Sequence, residues 1–321
     1  MAAHALREVV GLGALEALLG RAGVREIVVE GPEQILVDAG EGLAPTDESF
    51  SSSGMLTVVA RRLAARAGVT DVEGPVLKGF LPEGGQVTVV QAPLAVGGPY
   101  VEVRRQAAGP ELAGLVSQGV LDEAMADVLE KAVRARKNVA VIGPAGAAVT
   151  TLLGALASLA AEDERVVVVA PTPDVAVRRD HVVRLRVGQA DFAGVLREAV
   201  QLRSDRLVVD GVGAADGYAA LVAMASSGEG ALAGFHAATD DDAAAALRLY
   251  GKLGGAAEGA VGGLVMRAAH VVVQIAPRPE GWRVVGVTEF ARDEQGGPIS
   301  LDLFRYAGGV FESGASASFA S

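Results

Sequence analysis

Apolar positions along the chain change their spacing at about one third of its length, and the change marks two kinds of architecture. In the first third, short helical and strand signals alternate. Leu12 to Leu19 reads as an amphipathic helix. Arg25-Glu-Ile-Val-Val-Glu30 reads as a strand, Gly31-Pro32 turns it, and Gln34-Ile-Leu-Val-Asp38 returns. Ser51-Ser-Ser53 predicts the cap of a helix over Met55 to Arg66. Val76 to Leu81 and Gln86 to Gln91 flank the turn Pro82-Glu-Gly-Gly85 as a hairpin, and Tyr100-Val-Glu-Val-Arg104 is a further strand. These signals predict a small N-terminal α+β domain over residues 1–106. Gln106-Ala-Ala-Gly-Pro110 reads as the linker.

Beyond the linker, near-continuous apolar strands alternate with helical stretches. Helices are expected over Leu121–Arg136, Thr150–Ala161, Phe192–Leu202 and Ala215–Ser226. Strands are expected at Val139–Ile142, Val166–Val169, Leu207–Val209 and Ala231–Phe235. Strands without polar alternation predict a parallel sheet buried on both faces, an α/β domain over 107–307. Val271–Ile275, Trp282–Phe290 and Ile299–Phe304 read as a closing β-meander, and 308–321, small and polar, as a disordered tail.

The sharpest local feature lies where Val139–Ile142 runs into Gly143-Pro-Ala-Gly-Ala-Ala-Val-Thr150-Thr151 and then into an apolar helix. Strand, glycine loop and helix form the context of a phosphate-binding loop, G-x-x-x-x-G-K-[ST]. Gly143 and Thr150 stand at the expected places, but Ala148 replaces the second glycine and Val149 the lysine. Valine neither donates a hydrogen bond nor neutralises a phosphate oxygen. Two readings remain open: a plain strand-to-helix turn, or a phosphate loop stripped of its charge. Leu207-Val-Val-Asp210 is a comparable strand end. Asp210 reads first as a cap on a buried strand; the alternative is that Asp210 and Thr150 together hold magnesium.

Composition removes several function classes. Half of the 321 residues are apolar, enough for a sizeable core, and only 4% are aromatic, so Ala, Val and Leu must fill it. With no cysteine there is no disulfide, thiolate metal site or cysteine nucleophile. A net charge of −11 without a basic block argues against nucleic acid as a partner. No apolar run reaches membrane-spanning length, and Met1 to Arg7 does not read as an export signal. The four histidines show no ligand spacing, so no metal site is expected. Asp240-Asp-Asp242 reads as the acidic start of a helix, and Arg178-Arg-Asp-His181 as a solvated loop.

Taken together, the order of its motifs makes the chain resemble the secretion ATPase family, the motors of type II and type IV secretion and of type IV pili, with the tight-adherence (Tad) pilus branch most similar. The resemblance runs from Val24 to Tyr306. It rests on Glu26-Ile-Val-Val-Glu-Gly-Pro32, Leu81-Pro-Glu-Gly84, Pro93-Leu94, Gly98-Pro99 with Arg104, and Ala132-Val-Arg-Ala-Arg-Lys-Asn-Val139 before the loop. It continues through Asp163-Glu-Arg-Val166, Arg203-Ser-Asp-Arg206, Ser227-Gly-Glu-Gly-Ala-Leu232 with His236-Ala237, Val287-Thr-Glu289 and Asp302-Leu-Phe-Arg305.

The resemblance implies a RecA-like second domain and hexameric relatives, and it implies which residues once bound nucleotide. Gly143, Gly146, Thr150, Thr151, Arg104, Arg203, His236 and Asp210 are the vestigial nucleotide-binding set. The positions that would carry catalysis are changed. The loop lysine falls on Val149, an acidic pair on Ala170-Pro171, the Walker B glutamate on Gly211, an arginine two residues on at Gly213, and another arginine on Phe80. No catalytic residue and no cofactor is therefore expected, and the chain reads as a pseudo-ATPase. Its expected partners are a paralogous secretion ATPase or an inner-membrane platform protein, in the cytoplasm or peripherally at the inner membrane. The alternative is a rearranged site that still takes ATP and Mg.

Overall fold

The computed structural model describes residues 8–319 except Glu83, 106–108, 145–146, Asp180, 188–190, 238–242, Ala256 and 293–297. The chain divides into two compact units, Met1–Ala107 and Ala108–Ser321.

In the first unit, helix α1 (Ala14–Gly20) precedes strands β1 (Glu26–Gly31), β2 (Gln34–Asp38) and β3 (Leu43–Pro45). Helix α2 (Ser53–Arg66) follows, then β4 (Val76–Phe80), β5 (Gln86–Val90) and β6 (Tyr100–Arg104). The strands form one antiparallel sheet in the order β3-β2-β1-β6-β5-β4. The alternation seen in the sequence becomes the pleat. Val87 and Val89 of β5 and Val101 and Val103 of β6 are fully buried, and α2 buries Leu56, Val59, Ala60 and Leu63 in the same core. Ser52 caps α2, its hydroxyl accepting from the Met55 amide at 3.2 Å. Gly79 lets β4 lie against the end of that helix: a Cβ there would sit 2.4 Å from the Ala67 carbonyl oxygen.

The second unit begins with α3 (Leu112–Ser117) and α4 (Glu123–Arg134), then β7 (Val139–Gly143), α5 (Ala147–Ala157), β8 (Val166–Ala170) and β9 (Val182–Arg186). Next come α6 (Phe192–Gln201), β10 (Arg206–Val212), α7 (Gly217–Ser226), β11 (Leu232–His236), α8 (Ala243–Leu253) and α9 (Glu258–Ala268). It closes with β12 (Val271–Arg278), β13 (Gly281–Arg292), β14 (Pro298–Ala307) and β15 (Val310–Ser313). The sheet order is β15-β14-β13-β12-β7-β11-β10-β8-β9. Strands β12 to β9 in that order run parallel, and β12 to β15 form the antiparallel meander.

Both faces of the parallel region are buried, as runs such as Val166–Val169 require. Val139, Val141, Val166 and Val168 face one core with α3, α4 and α5; Ala140, Ile142, Val167 and Val169 face the other with α6 to α9. The expected disordered tail over 308–321 is corrected. Val310–Ser313 pairs with β14, Ala317 is buried, and the Ser318 amide donates to Glu289 at 2.9 Å. Phe319 packs on the core and lies under the Lys137 ammonium at 5.9 Å. The alternating Val310-Phe-Glu-Ser313 was the missed strand signal. Strand β9 and helix α9 also went unread, and Asp240–Asp242 lie outside the described residues.

Two buried polar groups fasten the N-terminal ends of the parallel strands. The Asn138 side chain, 1% exposed, accepts from the Gly230 and Ala231 amides at 2.9 and 2.8 Å and donates to the Arg267 carbonyl at 3.1 Å. Glu164 accepts from Arg206 at 2.9 Å and Arg136 at 2.6 Å. Burial alone would raise its pKa, but the Arg206 hydrogen bond, the Ala161 amide and the two guanidinium charges hold it below the usual carboxylate range.

Replacing Asn138 with alanine strands two buried amides. Urea unfolding followed through Trp282, the only tryptophan, should show a loss of about 3 kcal/mol. A loss under about 1 kcal/mol would mean that the Asn138 bonds do not hold this end of the sheet.

Candidate functional site

The carboxyl ends of β7, β11, β10 and β8 gather the residues that the sequence singles out, at the edge where α/β sheets place their ligands. Gly143 ends β7 opposite His236, and the Ala237 amide donates to its carbonyl at 2.9 Å. The residue must be glycine, because a Cβ would lie 2.5 Å from the Ile275 carbonyl oxygen and 3.1 Å from Val149 Cγ2.

Val149 is fully buried. It stands in the first turn of α5 and packs down on the sheet, its Cγ1 lying 3.0 Å from where a Cβ on Gly234 would be. Glycine 234 is therefore a requirement of the same packing. A glycine inside the buried strand Leu232-Ala-Gly-Phe-His236 was a legible sign of close approach, and it was not used.

Thr150 and Asp210 meet. The Thr150 hydroxyl donates to Asp210 Oδ2 at 2.8 Å. Asp210 is 3% exposed, and its Oδ1 is buried without a hydrogen-bond partner among the described residues. Burial pushes the Asp210 carboxyl up, aided by the charge of Asp174. The Thr150 hydroxyl, the Gly211 amide and His236 oppose the shift without cancelling it. Asp210 lies in β10, two residues before the strand's end, and touches the loop helix through Thr150.

His236 closes β11, its carbonyl accepting from the Tyr250 hydroxyl at 2.6 Å while its Nε2 is buried without a partner among the described residues. The Tyr250 ring stacks on Phe235 at 5.7 Å.

Ala170-Pro171 and Gly211 are neighbours in space. Gly211 has φ +74°, and a Cβ on it would lie 2.7 Å from Pro171 Cγ and 2.8 Å from Cδ. A side chain at position 211 would be strained by its backbone and blocked by the proline ring.

The remaining members of the expected set are Thr151, Gly146, Arg104 and Arg203. Thr151 sits half-buried in α5. Gly146 is outside the described residues. Arg104 belongs to the first unit, paired with Glu26 at 3.1 Å and Glu102 at 2.5 Å. Arg203, at φ +52° in the exposed turn before β10, is at the opposite end of that strand from Asp210. The separation is roughly 20 Å at about 3.3 Å per residue. The structure therefore does not bring Arg203 to Thr150 and Asp210. The resemblance transferred it by position in a motif, and a motif can span both ends of one strand. Among the described residues, no group of three or more His, Asp or Glu side chains converges to hold a metal.

Residues 8–278 match the family profile described as type II/IV secretion system protein. The chain belongs to this family. A putative conjugal transfer protein of Mycobacterium tuberculosis is 30% identical over 305 residues, covering 90% of this chain and 87% of that protein. The probable conjugal transfer protein TrbB of Sinorhizobium fredii is 28% identical over 285 residues, covering 87% and 86%. Among solved structures, the pilus retraction motor PilT with bound ADP shares the fold at a TM-score of 0.53 and 14% identity, covering 96% of this chain and 84% of that one. Among the described residues, no helix of this family member is long and apolar enough to cross a membrane.

The buried carboxyl gives a pH-dependent prediction. Its folded pKa lies above the unfolded value of 3.8, so the stability it allows is fully present below 3.8 and is lost as pH rises towards the folded value. Asp210→Asn keeps an acceptor for Thr150 and removes the titration. In urea melts the variant should exceed wild type at pH 7, with the difference shrinking towards pH 4. A variant less stable than wild type at pH 7 would contradict the buried-acid description.

Proposed function

We propose that the chain is a non-hydrolysing member of its family, a pseudo-ATPase serving as a structural or regulatory subunit of a Tad-like pilus or secretion system. The observation that carries the reading is the packing of Val149. The side chain at the lysine position of the loop is sealed between Gly143 and Gly234. Phosphoryl transfer is almost wholly positioning and charge stabilisation, and an arginine in such a site alone supplies about 10³ to 10⁵ in rate. Here residues 143–151 carry no basic side chain, and Pro171 fills the space beside Gly211 where the resemblance puts a glutamate.

Thr150 and Asp210 supply the hydroxyl and carboxylate that could reach a magnesium ion, but residues 143–151 supply no basic side chain to hold the phosphates of ATP, so the set fits magnesium and ATP only in part. No chemical step is derived through them. The proposed partners are an intact paralogue of the same family or a platform protein of the secretion apparatus, with assembly into a ring as in the hexameric relatives implied by the resemblance.

A second reading has one observation in its favour. The Thr150–Asp210 hydrogen bond brings together the two groups that an active loop would use around a metal, so a rearranged site that binds nucleotide is the alternative.

Phosphate release from ATP by the pure protein decides between them. It should not rise above the buffer rate, and Val149→Lys alone should leave it there, because Pro171 and Gly211 still exclude the second acidic group. Turnover in wild type that Asp210→Ala abolishes would overturn the proposal.

A further inference from the structure

Residues 177–186, Val-Arg-Arg-Asp-His-Val-Val-Arg-Leu-Arg, hold four arginines and a histidine against one aspartate, in a protein of net charge −11. The structure gives this run a definite place. Strand β9 is the last in the sheet order, pairing with β8 on one side from Val166↔Val182 to Ala170↔Arg186. Among the described residues no strand pairs with its other side. Such an edge presents main-chain donors and acceptors in a row, and native proteins either cover it or use it.

The side chains sort by the pleat. Val183 and Leu185 pack on the core beneath α6 and α7. Arg184 and Arg186, both exposed, share the opposite face with Val182, which packs on the other core. At the start of the strand lies a groove of about 520 Å³ lined by Ser158, Ala160, Glu162, Arg178, Arg179 and His181. Its arginines are held in place from behind. Arg178 donates to the Gly109 carbonyl and to Glu111, each at 2.8 Å, and Arg179 donates to the Ala160 carbonyl. Arg184 is braced likewise, donating to the Val175 carbonyl at 2.9 Å. Four arginines thus line the groove and the edge strand, against Glu162 in the groove and Glu111 on Arg178, and leave an excess of positive charge.

We propose that the β9 edge and its arginine-lined groove dock an acidic segment of another protein, in extended conformation, as a further strand of the sheet. Main-chain pairing supplies the affinity in this mode and side-chain charge supplies the selection. That excess is opposite in sign to its occupant and to the rest of its own chain, so acidic partners are steered to this edge. A nucleic acid meets the same arginines but has no peptide main chain to pair with the strand edge. The proposal is independent of whether the loop at Gly143 takes nucleotide.

The test uses the full chain and a fluorescein-labelled peptide of alternating glutamate and threonine, residues suited to charge and to strand. Fluorescence anisotropy should show saturable binding that weakens as salt rises. The lysine–threonine counterpart and a single-stranded DNA oligomer should not bind. Arg184→Glu/Arg186→Glu should weaken the glutamate peptide by about tenfold or more, and Arg186→Lys should retain it. Amide exchange of residues 182–187 should slow when the peptide is bound.

No binding of the glutamate peptide, equal binding of the lysine peptide, or slowed exchange confined to other strands would overturn the proposal. So would DNA binding in its place, or self-association of the wild-type chain that the double substitution abolishes, since the edge would then belong to nucleic acid or to a second copy. Peptide charge reversal and salt dependence are read on the wild-type protein, so the outcome stands even if the double variant does not fold.

Discussion

Everything around the loop at Gly143 depends on how closely helix α5 lies on the sheet. Val149 fills the gap between them, and it does so only because Gly143 and Gly234 have no side chains. Close-packed cores leave no slack for an added methyl group, so positions 143, 149 and 234 are one packing decision. The same close approach brings Thr150 within 2.8 Å of Asp210 and buries that carboxyl. A carboxyl in a dry pocket is costly when ionised, and a hydroxyl donor in the first turn of a helix offsets part of the cost. Packing and electrostatics at this site therefore cannot be changed separately.

The second acidic position follows a similar logic. Pro171 directly follows β8, Gly211 lies on the neighbouring β10, and the proline ring occupies the space a side chain at 211 would need. A glutamate at 211 requires both a different backbone and a different residue at 171. The changes that the family resemblance places one by one along the sequence are thus coupled in three dimensions. The meander meets the loop at Ile275, whose carbonyl oxygen leaves no room for a side chain at Gly143; its outer strands and the C-terminal residues pack elsewhere. They close the sheet on its far side, with Ser318 on Glu289 and Phe319 against the core.

Much of the architecture was legible in the chain because strand periodicity and burial are local. The apolar runs at Val139, Val166, Leu207 and Ala231 announced the parallel strands, and Ser51-Ser-Ser53 announced the start of α2. Strand β9 was hidden because its arginines mimic a solvated loop, although an edge strand is where charge is tolerated. The C-terminal strand was hidden because four residues among glycine and serine give too short a period to read. At the site, the loss of the lysine was visible and the meeting of Thr150 with Asp210 was an open alternative. The Pro171–Gly211 contact was not legible, since it joins two strands whose adjacency depends on sheet order. The distance of Arg203 from Asp210 was not legible, because linear motifs do not say at which end of a strand a side chain lies.

A chain with this packing keeps the fold of its family, with Val149 buried at the lysine position of the loop and Pro171 beside Gly211. The most direct test is calorimetric titration of the full-length protein with ATP and magnesium. The proposed pseudo-ATPase, with no basic side chain in residues 143–151, predicts no saturable heat and no shift in melting temperature. Stoichiometric binding that Thr150→Val abolishes would contradict it, because nucleotide would then be held at the loop without that charge.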